Sequence, residues 1–236
     1  MNIIVFGSSG AIGNALTETL SRKYQDAQIY AVARHQKIRV EQNITCYHID
    51  YDDESSIVSL ALTMQFVTFD MVIVATGLLH HEQCMPEKSV RELSAAKFHL
   101  LFSANTVLPA LIAKHFGALL KKSEPAIFAV LSARIGSIFD NRLGGWYSYR
   151  ASKAALNMVI KNLAIEFKRT FPYSVFVGLH PGTVESRLSR PFYKSIPLKK
   201  IFEATYAAAQ LIKVLKKLKS EDTGKIFAWD GQEIWP

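Results

Sequence analysis

The sequence has few cysteines and no long uninterrupted apolar run, and each shortage excludes a class of protein. Its two cysteines, Cys46 and Cys84, are far apart and form no Cys-x-x-Cys pair, so we expect neither a disulfide framework nor a structural zinc site. No run of about eighteen apolar residues occurs, and no basic segment with a small-residue cleavage site accompanies the first apolar stretch. These features predict a soluble protein of a reducing, cytoplasmic compartment, without a membrane span or a leader.

Glycine and proline are also scarce, at 12 and 8 residues among 236, which excludes collagen-like and low-complexity chains. Hydrophobic residues make up 49% of the chain and charged residues 20%, as in ordinary folded proteins. A chain of this size can bury one sizeable core. We therefore expect a single domain over residues 1–236.

Acidic residues are outnumbered by basic ones, 20 to 28, which gives a net charge of +8 and raises the question of a nucleic-acid or lipid partner. The densest lysine cluster alternates with apolar residues at helical spacing. It comprises Lys213, Lys216, Lys217 and Lys219 set against Leu211, Val214, Leu215 and Leu218. This pattern is typical of an amphipathic helix with a solvated basic face, so we expect no nucleic-acid partner.

Short apolar runs alternate with amphipathic stretches of helical length along the chain. The runs are 2–6, 29–33, 71–75, 126–131, 175–179 and 226–229, with a further short strand expected near 45–49. Continuous rather than alternating runs are typical of parallel strands covered on both faces. The sequence therefore predicts an α/β fold, a doubly wound parallel sheet (Rossmann) of about seven strands. The irregular segments 135–147 and 183–197 follow strands and are candidate substrate loops.

A glycine-rich turn follows the first strand and opens a helix. Gly7, Gly10 and Gly13 are spaced Gly-x-x-Gly-x-x-Gly. Glycines allow a sharp turn and close approach of a pyrophosphate, whose charge the N–H groups at the helix N-terminus stabilise. A strand-to-helix turn without a ligand is the alternative. The glycine-rich segment lies at the first strand-to-helix junction of a doubly wound pattern, however, and this place favours a nucleotide site.

The second apolar run ends in Ala33-Arg34, where an NAD site usually places an acidic side chain for the ribose hydroxyls. A guanidinium can instead bind a 2′-phosphate through paired charge-assisted hydrogen bonds. Arg34 therefore favours NADP, although an exposed arginine at a strand end is the simpler alternative.

Tyr149 and Lys153 are four residues apart at the start of a helix predicted over 151–168, so they share one helical face. A nearby ammonium stabilises a phenolate and would lower the tyrosine pKa toward a value useful for proton transfer. Such a pair is common by chance. A catalytic role for the pair is supported by three further features: Ser132 at an earlier strand end, a helical Asn105, and His180-Pro181-Gly182-Thr183 after a later strand.

Together these motifs resemble the short-chain dehydrogenase/reductase family over essentially the whole chain. Further segments are similar to its C-factor-like branch, which is related to a cell–cell signalling protein. They are Leu78-Leu79-His80, Pro86-Glu87-Lys88-Ser89, the stretches 131–137 and 141–149, and Ala228-Trp229-Asp230-Gly231.

The resemblance implies a role for each matching residue. Tyr149 would be the general acid in reduction or the base in oxidation, Lys153 would bind the nicotinamide ribose and lower the Tyr149 pKa, and Asn105 would hold a relay water. Asp50 would accept a hydrogen bond from the adenine of the cofactor. The carboxamide of the nicotinamide would be bound by Pro181, Gly182, Val184 and Ser186. The other cofactor-binding residues would be Gly7, Ser9, Gly10, Ile12, Gly13, Arg34 and Gly77. Related enzymes commonly form homo-oligomers through the helices that hold Asn105 and Tyr149.

The sequence departs from the family pattern in three places. Phe6 and Ala11 alter the glycine turn, and Val74-Ala75-Thr76-Gly77 replaces Asn-Asn-Ala-Gly, which removes side chains that usually brace this strand end. The catalytic serine is expected three residues before Gly136, at Ala133, with Ser132 one position earlier. Adjacent strand residues face opposite sides, so Ser132 can serve only if the strand end twists or carries a bulge. Ser137 is the alternative.

Several other residues invite a functional interpretation. His80-His81 lacks a third metal ligand at a recognisable spacing, so we expect no metal site. We expect His180 to be a packed strand-end residue, while Phe192, Tyr193, Lys194 and Lys199 either form a lid or cover the sheet.

We predict NADP-dependent hydride transfer between the nicotinamide and a small carbonyl or alcohol substrate, with reduction the favoured direction. A C-factor-like signalling or nucleotide-binding protein with little turnover is the alternative. A peripheral membrane or nucleic-acid protein is a weaker one.

Overall fold

Seven parallel strands form the central sheet of the computed structural model, which describes residues 1–35, 43–81, 85–195, 197 and 201–236. In chain order the strands are β1 (Asn2–Phe6), β2 (Gln28–Ala33), β3 (Ile44–His48), β4 (Met71–Val74), β5 (Ala126–Leu131), β6 (Ser174–His180), β7 (Thr183–Val184), β8 (Ile201–Phe202) and β9 (Ile226–Ala228). The sheet order is β3-β2-β1-β4-β5-β6-β9, and β7 pairs with β8 separately. The seven-stranded doubly wound sheet predicted from the sequence is thereby confirmed.

Six α-helices of the described chain connect or follow these strands. They are α1 (Ala11–Lys23), α2 (Glu54–Thr63), α3 (Ala95–Phe102), α4 (Leu108–Phe116), α5 (Tyr147–Phe167) and α6 (Ala204–Lys217). A π-helical turn, Ser103–Val107, joins α3 to α4. Helices on both faces of a parallel sheet are what the continuous apolar runs require.

Alternate residues of each strand enter one of two apolar layers. In β1, Ile4 and Phe6 pack in the layer that holds α2, α4 and α5. Ile3 and Val5 pack in the opposite layer with α1 and α6. All four side chains are fully buried, so this strand contributes to both halves of the core.

The basic helix has the predicted amphipathic pattern. Lys213 and Lys216 of α6 are exposed, whereas Leu211 and Leu215 are buried. The helix ends at Lys217, one residue before the predicted apolar position Leu218.

One described segment, Ala95–Leu119, is long and apolar enough by length and composition to cross a membrane. The sequence alone led us to expect no such candidate. Core helices of soluble proteins meet the same criteria. Two of its polar residues, Asn105 and Thr106, hydrogen-bond to Ser152 of α5, so this part of the segment packs against protein.

The sheet order reverses between β1 and β4, whose carboxyl ends lie side by side. In open α/β sheets, ligands bind in the crevice outside the carboxyl ends at such a reversal. The glycine turn follows β1, and the segment beginning Ala75-Thr76-Gly77 follows β4. The fold thus brings both to the same crevice.

Candidate active site

The glycine turn after β1 adopts a conformation and packing that require glycine at two positions. Gly7 has a φ of +78°, and a Cβ there would lie 2.9 Å from the carbonyl carbon of Ala75. A Cβ on Gly13 would lie 2.1 Å from the Gly7 oxygen. These contacts set α1 close against the turn, whereas Gly10, the N-cap of α1, leaves the helix end without a capping side chain.

Tyr51 braces this turn and was not identified from the sequence. Its hydroxyl accepts a 2.7 Å hydrogen bond from the Gly7 N–H and donates a 2.9 Å bond to the Val32 carbonyl. Burial raises the pKa of Tyr51 well above its ordinary value. The contact joins residues 44 positions apart, so no local motif could have revealed it.

A cavity of about 640 Å³ extends from the glycine turn to the start of α5. Its lining includes most of the predicted site residues, namely Ser9, Gly10, Ile12, Gly77, Ser132, Tyr149, Lys153, Pro181, Gly182, Val184 and Ser186. Both candidate substrate loops also contribute. The first does so through Ile135 and Trp146, and the second through residues 183–184, residues 186–189 and Phe192.

Tyr149 and Lys153 lie one turn apart on α5, with 9% and 3% of their surfaces exposed. The Lys153 ammonium donates a 2.9 Å hydrogen bond to the Leu131 carbonyl at the end of β5. Burial raises the pKa of Tyr149 to about 12 and lowers that of Lys153 to about 7. In the protein alone, desolvation therefore outweighs the lowering of the tyrosine pKa that we expected from the lysine.

Asn105 lies in the π-helical turn and connects three parts of the site. Its carboxamide accepts from the Leu78 N–H at 2.8 Å and donates to the Leu78 carbonyl at 2.7 Å and to the Ser152 hydroxyl at 3.1 Å. These bonds fix the segment after β4 against α5. The side chain itself does not line the cavity, so the relay water remains a prediction.

The three candidate positions for a catalytic hydroxyl differ in their surroundings. The Ser132 hydroxyl donates a 2.6 Å hydrogen bond to Oδ1 of Asn157, and Ala133 lines the cavity. The Ser137 hydroxyl bonds to the Trp235 carbonyl instead, and Ser137 is not among the cavity residues. The cavity thus brings Tyr149 together with Ser132 and Ala133, and leaves Ser137 out.

Four predicted cofactor residues lie outside the cavity lining: Gly7 and Gly13 of the glycine turn, and Arg34 and Asp50. Arg34 follows β2 with 59% of its side chain exposed, 3.8 Å from a carboxylate oxygen of Asp52. Asp50 lies two residues beyond β3, and its carboxylate accepts from the Asp52 N–H at 2.9 Å. An exposed arginine remains available for a phosphate, whereas the Asp50 carboxylate already braces a turn.

A contact between Glu87 and Ser148, which was also not predicted from the sequence, fixes the start of α5. Glu87 is fully buried, and its carboxylate accepts from the Ser148 hydroxyl at 2.5 Å and from the Ser148 N–H at 3.3 Å. A carboxylate at a helix N-terminus is stabilised by the free N–H groups there. This contact explains why α5 begins at Tyr147, four residues before the predicted start. Glu87 belongs to a motif that carried the family resemblance, but the sequence assigned it no role.

The chain enters α5 through three left-handed residues, Gly144, Gly145 and Trp146, whose φ values are 64°, 64° and 52°. A positive φ is strained for tryptophan. It places the Trp146 ring 6.3 Å from that of Tyr149 and 4.7 Å from that of Phe192. These aromatic rings form an apolar wall of the cavity beside Tyr149.

Of the four residues considered for a lid, Phe192 lines the cavity, whereas Tyr193 bonds to the backbone of Ser186. Phe192, in the turn Arg190–Ser195, lines the cavity and contacts His80 edge to face at 5.7 Å. The Tyr193 hydroxyl accepts from the Ser186 N–H at 3.1 Å. The Lys194 side chain and Lys199 lie outside the part of the chain that the structure describes.

The cavity has the features that a dinucleotide needs. One end holds the glycine turn and the uncapped helix end, and the other holds the Tyr149–Lys153 pair. Two buried polar atoms of cavity residues, Oγ1 of Thr76 and Nδ1 of His180, have no hydrogen-bond partner within the described residues. In the same part of the chain, no group of three or more His, Cys, Asp or Glu could hold a metal.

Comparison with known proteins identifies the family. The short chain dehydrogenase family matches residues 1–196, and the chain belongs to it. A relative, 1-hydroxy-2-glutathionyl-2-methyl-3-butene dehydrogenase of Rhodococcus sp. (strain AD45), is 31% identical over 185 residues, which are 78% of this chain and 76% of that enzyme.

C-signal of Myxococcus xanthus is 32% identical over 111 residues, 45% of this chain and 58% of that protein, in agreement with the C-factor-like resemblance. Among solved structures, an NADPH-bound carbonyl reductase from chicken fatty liver has a TM-score of 0.86 and 20% identity, covering 100% of this chain and 94% of that one. At this identity, the likeness shows the fold.

Proposed function

We propose that this oxidoreductase uses NADP to interconvert a carbonyl compound and an alcohol, with Tyr149 as general acid and base. The observation that carries the proposal is the placement of buried Tyr149 and Lys153 on one cavity with the glycine turn. Support comes from the oxidoreductase relative and from the solved carbonyl reductase that binds NADPH.

When bound, NADPH supplies the hydride that the carbonyl carbon accepts. The Tyr149 hydroxyl then gives its proton to the carbonyl oxygen, so that an alcohol forms. Lys153 would hold the ribose hydroxyls and, when charged, favour the phenolate that remains. The uncapped helix end at Ser9, Gly10 and Ile12 would bind the pyrophosphate, and Arg34 would bind the 2′-phosphate.

The apolar wall beside Tyr149 would hold the substrate. Trp146 and Phe192 contribute aromatic surface, and Leu79, Ile135 and Leu188 contribute aliphatic surface. An apolar environment strengthens hydrogen bonds to the reacting oxygen because it excludes water. We propose that the substrate carbonyl carries an apolar group.

The experiment is to measure NADPH oxidation over a panel of aldehydes, ketones and quinones. Sustained turnover that Tyr149→Phe abolishes supports the proposal. Tight NADPH binding without turnover on any member would contradict it and support a signalling or nucleotide-binding protein. Ala133, at the position expected for the catalytic serine, and the similarity to C-signal are the two observations that favour this second candidate.

A further inference from the structure

We propose that His80 is a positioning residue of the substrate pocket, which holds residues 186–193 in place so that Leu188 and Phe192 contact the substrate. Residues 186–193 are called the substrate segment below, and residues 186–189 and Phe192 of this segment line the cavity. The inference rests on the proposed function and adds a residue that determines substrate affinity. His80 belongs to the Leu78-Leu79-His80 motif, to which the sequence assigned no role in the reaction.

The substrate segment is held in shape by hydrogen bonds within itself. The Ser186 N–H donates to the Tyr193 hydroxyl at 3.1 Å. The Phe192 N–H donates to the Ser189 carbonyl at 2.9 Å. The Ser189 hydroxyl also donates to the carbonyl of Val184 in β7, the strand that precedes the segment. These bonds set the shape of the segment and fix its start, but its position over the cavity depends on other contacts.

His80 supplies such a contact from the chain that follows β4. Its Nε2 lies 3.0 Å from the carbonyl oxygen of Leu188, a residue 108 positions away. Because a carbonyl oxygen only accepts, Nε2 carries the proton and donates. Among the residues that the structure describes, this is the one hydrogen bond that joins the substrate segment to an element other than β7. His80 therefore anchors the part of the segment that lies on the cavity.

The anchor is itself held in place. The N–H and the carbonyl of Leu78 are both hydrogen-bonded to Asn105, at 2.8 and 2.7 Å. Leu79 is buried in the same apolar cluster as Tyr149. His80, which follows directly, is half-buried. A side chain on such a fixed stretch of backbone sets the position of the group to which it bonds.

Ring contacts connect the anchor to Tyr149. The centroids of His80 and Phe192 are 5.7 Å apart, with the rings edge to face. Phe192 lies 4.7 Å from Trp146, and Trp146 lies 6.3 Å from Tyr149. Aromatic pairs at these distances favour defined relative orientations. The last three rings line the cavity, whereas the described lining does not include His80. His80 therefore acts on the substrate through the cavity wall.

The first test measures the position of the segment without turnover. His80→Phe keeps a ring beside Phe192 but removes the donor to Leu188. Hydrogen–deuterium exchange at residues 186–193 should become about two- to tenfold faster, the scale of one neutral hydrogen bond, while exchange in α1 should not change. His80→Gln, whose amide N–H approximates Nε2, should restore the wild-type rates. His99→Phe, at an exposed position of α3, is the control.

Two outcomes of the exchange measurement contradict the proposal. Wild-type exchange rates at residues 186–193 in folded His80→Phe would show that His80 does not hold the segment. Equally faster exchange in the segment and in α1 would show a general loss of stability instead of a local one, and would also overturn the positioning role.

The second test is kinetic and uses two diketones that differ by a phenyl group in place of a methyl group, 1-phenyl-1,2-propanedione and 2,3-butanedione. His80→Phe should raise KM for the phenyl compound relative to butanedione by about two- to tenfold, with little change in kcat or in NADPH affinity, because the lost contact serves binding. His80→Gln should recover the wild-type ratio.

An unchanged KM ratio in His80→Phe would overturn the proposal. If the wild type reduces neither diketone, the dissociation constant of the phenyl compound, measured with NADP present, replaces KM. Equal dissociation constants for wild type and His80→Phe, including no binding by either, would then overturn it. Absence of NADPH oxidation over the whole carbonyl panel would instead contradict the proposed function, and the exchange test does not depend on that result.

A double-mutant cycle tests whether His80 acts through the wall. In a variant that carries Leu188→Ala and Phe192→Ala, the wall side chains are missing, so adding His80→Phe should no longer change the preference for the phenyl diketone. The same fold-change from His80→Phe in this background and in the wild type would contradict action through the substrate segment.

Discussion

The Ser132 hydroxyl donates a 2.6 Å hydrogen bond to Oδ1 of Asn157, and this bond joins the end of β5 to α5. Both residues are buried, with 4% and 5% of their surfaces exposed. Asn157 lies one helical turn after Lys153, so the bond anchors the helix that carries the proposed catalytic pair. Ser132 thus has a structural partner that the family pattern does not reveal.

Ser132→Ala should therefore lower stability more than it lowers kcat. Removal of the hydroxyl leaves Oδ1 of Asn157 buried without its donor, which costs about 1–3 kcal/mol. Chemical denaturation measures this loss, and kcat is measured on the same folded protein. Ser137→Ala is the comparison for kcat, because Ser137 does not line the cavity. A kcat loss of about 10²–10³ in Ser132→Ala alone would show that Ser132 is the oxyanion donor after all.

Tyr149→Phe should remove turnover while it preserves the fold and NADPH affinity, since the substitution deletes only the phenolic oxygen and its proton. Loss of proton transfer typically reduces the rate by about 10²–10⁴. Steady-state kinetics and NADPH titration check the two halves of the expectation. Tyr147→Phe, at the exposed start of α5, is the matched control and should keep full activity. Equal activity of the two variants would exclude Tyr149 as the acid.

The sequence predicted the sheet because continuous apolar runs reflect burial on two faces. It also predicted the glycine turn, since the conformation of Gly7 and the close approach at Gly13 both require glycine. Tyr51 and Glu87 could not be predicted. Their partners lie 44 and 61 positions away, so the contacts exist only after the sheet has formed and leave no local spacing in the sequence.

Arg34 should determine the preference for NADPH over NADH. A charge-assisted hydrogen bond of about 1.5–3 kcal/mol to the 2′-phosphate corresponds to roughly ten- to a hundredfold in affinity. Arg34→Ala should lower the NADPH:NADH affinity ratio by this factor, as measured by titration with both cofactors. Asp52→Asn should shift the ratio slightly the other way, because Asp52 lies 3.8 Å from the guanidinium and competes for it. An unchanged ratio in Arg34→Ala would contradict the assignment.

Glu87→Ala should destabilise the protein and weaken catalysis together. The substitution leaves the Ser148 N–H and hydroxyl without their buried acceptor, and a lost helix cap typically costs about 0.5–2 kcal/mol. Displacement of the first turn of α5 should also lower kcat through Tyr149. Glu87→Gln keeps an acceptor oxygen and should recover part of both effects. Glu166→Ala, an exposed carboxylate on the same helix, is the control, and equal melting temperatures for Glu87→Ala and Glu166→Ala would refute the capping role.

The buried Lys153 should make stability rise with pH above neutrality. Its pKa is about 7 in the folded protein and near 10.5 when unfolded, so between these values the unfolded chain binds a proton that the folded chain lacks. The free energy of unfolding therefore increases with pH in this window, by up to about 1.4 kcal/mol per pH unit.

Tyr149 acts in the opposite direction only above pH 10, because burial raises its folded pKa to about 12 from 10.0, and the unfolded chain loses that proton first. Urea denaturation at pH 7, 8, 9 and 10 should show the rise in wild type. Lys153→Met removes the titrating group and should lack this component, whereas Lys161→Met, at an exposed position of α5, should keep it. Parallel pH profiles for wild type and Lys153→Met would mean that Lys153 remains charged in the folded protein.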